Sequence, residues 1–266
     1  MIQPDPWFDL REHTAARLAP GRTGSSLPTR EILRFGLAHA QARDAVQREL
    51  NVPAIIAQLH GERLPALQVQ SAAGDRPTFL LRPDLGRRLS DPGRQLVIEA
   101  AARVCADPAA ASRQAGCDLL LVVADGLSSP AIERNALPML VALREQAPAG
   151  WRFGPVVVAT QARVALGDEI GEILGAALVA ILIGERPGLS SPDSLGIYLT
   201  WQPKVGRTDA ERNCISNIRP EGLGYKAASH RLWWLCREAR RLGLTGVQLK
   251  DGSDQPALAE PLPPLG

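Results

Sequence analysis

LVAILIGERPGLSSPDSLGIYLTW, residues 178–201, contains two apolar runs around a short polar loop, and the reading of those runs decides the fold. Residues 178–183 are apolar at every position instead of alternating with polar ones, the pattern of a strand buried on both faces and paired in parallel. The same pattern occurs at 119–124 (LLLVVA) and 156–159 (VVVA), and residues 195–200 and 246–249 read as two further strands. Helical periodicity fills the intervals, over 93–104, 130–146, 168–174 and 225–242. Strands alternating with helices of this length form βαβ units. The expectation is an α/β fold: a Rossmann-like, mostly parallel sheet with helices on both faces, preceded by a helical N-terminal region.

Upstream, residues 1–27 are punctuated by Pro and Gly and read as an arm, and Pro28 opens a helix reaching about residue 50. In that helix Ile32, Gly36, His39, Arg43, Val46 and Leu50 share one face. His39 and Arg43 interrupt the apolar stripe, either as core residues with satisfied polar ends or as groups that pair with another subunit. The SAAGDRP stretch at 71–77 marks a boundary. The expected organisation is therefore an arm and helical region over 1–75, the sheet domain over 76–250, and a Pro-rich, disordered tail over 251–266.

Composition excludes several classes. A net charge of +2 with dispersed arginines and 4% aromatic residues lacks the basic face and stacking platforms of a nucleic-acid binder. Four cysteines without a C-x-x-C pair, among scattered histidines, support neither a disulfide framework nor a zinc site. No apolar run approaches the roughly 20 residues that span a bilayer, and the N-terminus has no secretory pattern. A protein of a reducing compartment is expected.

In an open parallel sheet, ligands bind beyond the carboxyl ends of the strands. Four segments leave those ends: 125–129 (DGLSS), 160–167 (TQARVALG), 184–191 (GERPGLSS) and the stretch after Thr200 that leads to Cys214. No G-x-G-x-x-G follows a strand and no P-loop occurs. Asp125-Gly126 suits either a ribose or metal contact or a plain turn. No histidine follows a strand end, which disfavours a Ser-His-acid triad. Cys214 is a nucleophile only if a cation such as Arg212 lowers its pKa, and Glu185-Arg186 is equally a strand-end ion pair. A free-standing Rossmann-like enzyme acting on a nucleotide through Asp125 and Glu185 stays open on these grounds.

Longer motifs narrow the choice. IGERPGLSSPDSLGIYLTW, then GRTDAERNCISNIRPEGL and GLTGVQLKD, together with GRTGSSLPTREILRFGLAHAQARDAV at 21–46 and LLLVVADGLSSPAIERNALPML at 119–140, closely resemble the small (light) subunit of ethanolamine ammonia-lyase. The resemblance runs from about residue 7 to 250. It implies a bacterial cytoplasmic, adenosylcobalamin-dependent lyase that converts ethanolamine to acetaldehyde and ammonia. The cofactor lies between this chain and a large barrel-type subunit that holds the substrate. Cobalamin contacts carry over to Val164, through its backbone carbonyl, to Glu185 and to Cys214; no catalytic or metal-ligating residue is implied on this chain. Arg163 and Arg186 rank lower, as neutralisers of the nucleotide-tail phosphate or as interface pairs. No D-x-H-x-x-G motif occurs, which fits a family that binds cobalamin with its own base attached. The N-terminus reads as shorter than in relatives whose leading segment is linked to microcompartment packaging, so the expected location is the bacterial cytoplasm, with a bacterial microcompartment left open.

Overall fold

The computed structural model describes residues 7–13, 18, 20–106 and 116–254. The expected arm and tail therefore lie partly outside the described residues. The sheet has six strands: β1 (Ala66–Gln70), β2 (Leu119–Ala124), β3 (Val156–Thr160), β4 (Leu178–Gly184), β5 (Leu195–Trp201) and β6 (Arg212–Ile218). Their spatial order is β1-β3-β2-β4-β5-β6. The first four in this order run parallel, whereas β5 and β6 are antiparallel additions on one side. The α/β architecture is as expected, with three differences. β5 reverses direction because the loop from Gly184 to Leu195 is too short to carry a crossover helix. β1 and β6 are strands that apolar runs did not reveal, and β1 joins the sheet from before residue 76. Residues 246–249 form a turn instead of a strand, since Asn213 captures their backbone: its Nδ2 donates to Leu249 O (2.8 Å) and its Oδ1 accepts from Gly246 N (2.8 Å).

Seven α-helices accompany the sheet: α1 (Thr29–Gln47), α2 (Val52–Gly61), α3 (Arg76–Leu81), α4 (Asp91–Ala106), α5 (Ser129–Glu145), α6 (Leu166–Ile173) and α7 (Tyr225–Leu242). Their ends follow from local chemistry. Asn51, Asp75 and Ser128 accept N–H bonds from Ala54, Thr78 and Ala131 and cap α2, α3 and α5, each with Pro in the first turn. α7 stops at Gly243, whose φ of 70° closes the last turn onto Ala239 O.

Residues alternate between two cores. Leu178, Ala180 and Leu182 of β4 face α2, α5 and α7, while Val179, Ile181 and Ile183 face α4 and α6. α1 departs from expectation. Its buried residues are Ala38 and Ala45, and the stripe through Ile32, Gly36, His39 and Arg43 points outward. Small side chains let α1 approach α5 closely, and they outweigh the periodicity of the larger ones.

β6 is anchored at its first residue. Arg212, buried, donates from Nη1 and Nη2 to the two oxygens of buried Asp168 on α6, both at 2.7 Å, and also to Thr200 Oγ1 (3.0 Å) and Arg207 O (2.9 Å). Removing one member of such a pair strands the other charge. Arg212→Met should lower the unfolding free energy by about 3–5 kcal/mol, as read from chemical denaturation; a loss below about 1 kcal/mol would show the pair to be incidental.

Candidate functional site

The carboxyl ends of β2, β3 and β4 are locked together by main-chain contact and one buried acid. Asp125, at the end of β2, accepts from Gln161 N (2.9 Å) and Ala162 N (3.0 Å) in the loop after β3. It also accepts from Arg76 Nη1 (3.3 Å) on α3. Arg76 in turn donates to Gly126 O (2.8 Å) and to Val46 O (2.7 Å) on α1. Burial pushes the Asp125 carboxyl up, opposed by these donors. α5 and α6 leave β2 and β3 toward opposite faces, so the crevice between these adjacent ends is the place where an open α/β sheet would take a nucleotide. Here Asp125 fills it with internal bonds, which removes the residue from ribose or metal binding. No group of three His, Cys, Asp or Glu side chains suited to a metal occurs among the described residues.

β4 is pressed against the same loop. Leu127 N donates to Gly184 O (2.9 Å), and a Cβ on Gly184 would lie 2.1 Å from Ser128 O. Only glycine fits, and the contact fixes where the next residue, Glu185, leaves the sheet. Its carboxylate does not pair with Arg186. It accepts instead from the backbone N–H of Asn217, with both oxygens at 3.3 Å. Asn217 sits in a bulge of β6 with φ of 56°, where the register slips so that residues 195 and 197 oppose 218 and 215. The extra residue turns this N–H out of the ladder toward Glu185. The carboxylate lies over Gly196, where a Cβ would come within 2.9 Å of Oε1.

Cys214 lies in the middle of β6, opposite Tyr198 of β5. This corrects its expected position. Because β5 runs antiparallel, the stretch after Thr200 leaves at the far edge of the sheet, and Cys214 is reached only on the return. It is exposed, on the side of the sheet covered elsewhere by α4 and α6. Partial burial pushes its thiol up, against the Tyr198 hydroxyl bond that lowers it, and the Glu185 charge raises it further. Tyr198 is itself pushed up to about 12, chiefly by burial. Arg212, the cation that would have activated Cys214, is consumed by Asp168. The site therefore offers a neutral thiol and not a nucleophile.

Val164 is half-buried in the loop after β3 and packs against the α4/α6 core. Its carbonyl accepts from Gly167 N (3.1 Å) and keeps a second lone pair. Glu185 and Cys214 are within electrostatic reach of each other, whereas no contact joins Val164 to either. From β3 to β6 the sheet spans four strand spacings, on the order of 19 Å. A ligand touching all three residues has to be broad and flat. Gly196, Tyr198 and Asn217 frame this surface; the first two lie in the apolar run 195–200, which marks a strand but not a site. Their only sequence signal is position, beside or opposite Glu185 and Cys214 in the two motif-rich stretches.

A cleft of about 580 Å³ lies at the opposite edge between Trp151, Arg152, Trp201, Lys204 and Arg240. It contains none of these site residues.

Comparison with known proteins follows this geometry. Residues 4–250 match the family model described as Ethanolamine ammonia-lyase light chain (EutC). Proteins named Ethanolamine ammonia-lyase small subunit are similar over nearly the whole chain. That of Pseudomonas fluorescens (strain Pf0-1) is 55% identical over 93% of this chain and 87% of its own length. The Ralstonia nicotianae (strain ATCC BAA-1114 / GMI1000) protein is 53% identical over 97% and 92%, and that of Pseudomonas aeruginosa (strain UCBPP-PA14) 53% over 98% and 93%.

The neutral thiol gives a direct readout. Alkylation of Cys214, followed by peptide mapping, should rise with a midpoint above the ordinary thiol value of 9.0. Tyr198→Phe removes the bond that lowers the thiol pKa and should move the midpoint higher. A midpoint near neutrality would contradict this electrostatic environment.

Proposed function

The chain belongs to the ethanolamine ammonia-lyase light chain family, and on that premise we propose that its Val164–Glu185–Cys214 surface is one wall of an adenosylcobalamin site closed by a large subunit. The complete enzyme is an ammonia-lyase acting on ethanolamine, with the substrate held by the partner chain. The observation that carries this reading is the Glu185 carboxylate, held by the bulge amide over Gly196 on the sheet face where Cys214 is exposed.

The residues fit a corrin chemically. Its rim carries neutral amide side chains, and Glu185 and the Val164 carbonyl are acceptors for amide N–H groups. Cys214, as a neutral thiol, makes a polarizable contact without adding charge beside the ring. Adenosylcobalamin, when bound, would supply the radical chemistry the lyase reaction needs. This chain's part would be to bind, to orient and to exclude water: Glu185 and the Val164 carbonyl would hold amide groups of the rim, and the β5–β6 surface would shield one side.

A nucleotide-binding enzyme working alone has no support here, because Asp125 is internally bonded. A purely structural subunit is the remaining contrast. Among the described residues no helix is long and apolar enough to cross a membrane, and the reading places the protein in the bacterial cytoplasm.

In the assembled complex, Glu185→Ala should weaken cobalamin binding by about 1–3 kcal/mol, followed by cofactor absorbance, with the fold unchanged. Gly196→Ala, which pushes on the carboxylate, should weaken it in the same direction. The isolated chain should show no turnover, and turnover should appear on adding the large subunit and adenosylcobalamin. Unaltered cobalamin affinity in both Glu185→Ala and Cys214→Ala would favour the structural role instead.

A further inference from the structure

Five buried side-chain polar atoms lack a hydrogen-bond partner among the described residues, and three of them belong to one cluster: Arg76 Nη2, Gln161 Oε1 and Arg163 Nε. Arg163 is the centre of this cluster. Its backbone N donates to Gly86 O (2.8 Å), and its stem packs so closely on Gly86 that a Cβ there would lie 3.0 Å from Arg163 Cγ. Its guanidinium stacks 4.2 Å above the Phe79 ring and makes one hydrogen bond, from Nη2 to Phe79 O (3.2 Å). The side chain is thus rigidly placed with most of its donors unused. Gln161 is held at φ 55°, an unfavourable conformation for a non-glycine residue, at the start of the same loop.

The charge around this guanidinium is unbalanced. Burial lowers its pKa, and the positive charges of Arg76, Arg87 and Arg186 lower it further; Asp125 is the sole opposing acid. Asp125 is already engaged by Gln161 N, Ala162 N and Arg76. Arg87 and Arg186 are exposed and form no ion pair among the described residues. Elsewhere among the described residues several buried or half-buried arginines have acids, as Arg212 has Asp168 and Arg152 has Asp118, although half-buried Arg219 bonds to Asn217 Oδ1 instead. Self-repulsion of this kind is retained at a cost unless an anion completes it.

We propose that Arg163, flanked by Arg87 and Arg186, receives the phosphodiester of the cofactor's nucleotide tail. This assignment rests on the cobalamin reading. The phosphodiester is the one anionic group on the periphery of cobalamin, the rim amides being neutral. A guanidinium fork suits its two free oxygens, and unlike a lysine it stays charged when half-buried. Arg163 precedes Val164, and Arg186 follows Glu185, so the two proposed corrin contacts and the two arginines leave the same strand ends.

Cobinamide, the corrin without nucleotide tail or phosphate, separates this claim from the one beneath it. Cobalamin and cobinamide affinities would be measured by absorbance titration of the assembled two-subunit complex, for wild type, Arg163→Met, Arg163→Lys, Arg186→Ala and Glu185→Ala. Arg163→Met should weaken cobalamin binding by about 10- to 100-fold while leaving cobinamide unchanged. Arg163→Lys should recover part of the loss, and Arg186→Ala, on an exposed loop where folding is not at risk, should weaken cobalamin alone and less strongly. Equal weakening of both ligands by the arginine variants, or weakening of neither, overturns the phosphate assignment. In that case Glu185→Ala still weakening both ligands leaves the corrin wall standing. A wild-type complex that binds neither ligand overturns both.

Discussion

The buried carboxylate of Asp125 is the constraint on which the working edge depends. It joins the end of β2 to the loop after β3 through two main-chain N–H groups, and to α3 through Arg76, which in turn reaches α1 through Val46 O. Loops are normally the least fixed parts of a fold. Here the loop after β3 and helix α3 share one acceptor in the loop after β2, and Gly184 presses β4 onto the same backbone. The result is a rigid rim in place of an adaptable crevice. A nucleotide-type pocket between β2 and β3 is thereby closed, and binding capacity moves outward along the sheet.

It moves to β5 and β6, where the sheet changes character. Antiparallel edge strands need no crossover helix: α7 packs one face of β5 and β6, and on the other, past the α6 tie at Arg212, Cys214 is exposed. A bulge in β6 converts a ladder N–H into a holder for Glu185, and the missing side chain of Gly196 makes room for it. Arg212 pins the start of β6 to α6 by a buried fork and so sets where Cys214 falls. In the proposed reading stability and binding fall to different residues: Asp168 and Arg212 are buried and saturated, while Val164, Glu185 and Cys214 retain unused capacity at the surface.

Much of this was legible in the residues. β2, β3, β4 and β5 are apolar enough to be read within a residue or so of their ends, and α7 coincides with its expected bounds. The missed strands share a physical cause. ALQVQ and RNCISNI are edge strands with one solvated side, and in RNCISNI the bulge also breaks the alternation that would betray it. Residues 246–249 misled in the opposite way: a short apolar pair sits beside a glycine, but the backbone bonds go to the Asn213 side chain. On α1 large apolar residues suggested an inward face, whereas close approach to α5 selected the alanines. Glu185 and Cys214 could be named from motif resemblance; their setting could not, because it depends on the direction of β5 and on one positive φ at Asn217.

The central claim is that a broad, flat cofactor lies across the rim from the loop after β3 to the middle of β6. Amide hydrogen exchange of the assembled complex with and without cobalamin tests it most directly. The account predicts slowed exchange in 161–167, 184–188 and 212–218 on cofactor addition, with 246–254 unchanged. Protection confined to the cleft at the opposite edge, around Trp151 and Lys204, would contradict it.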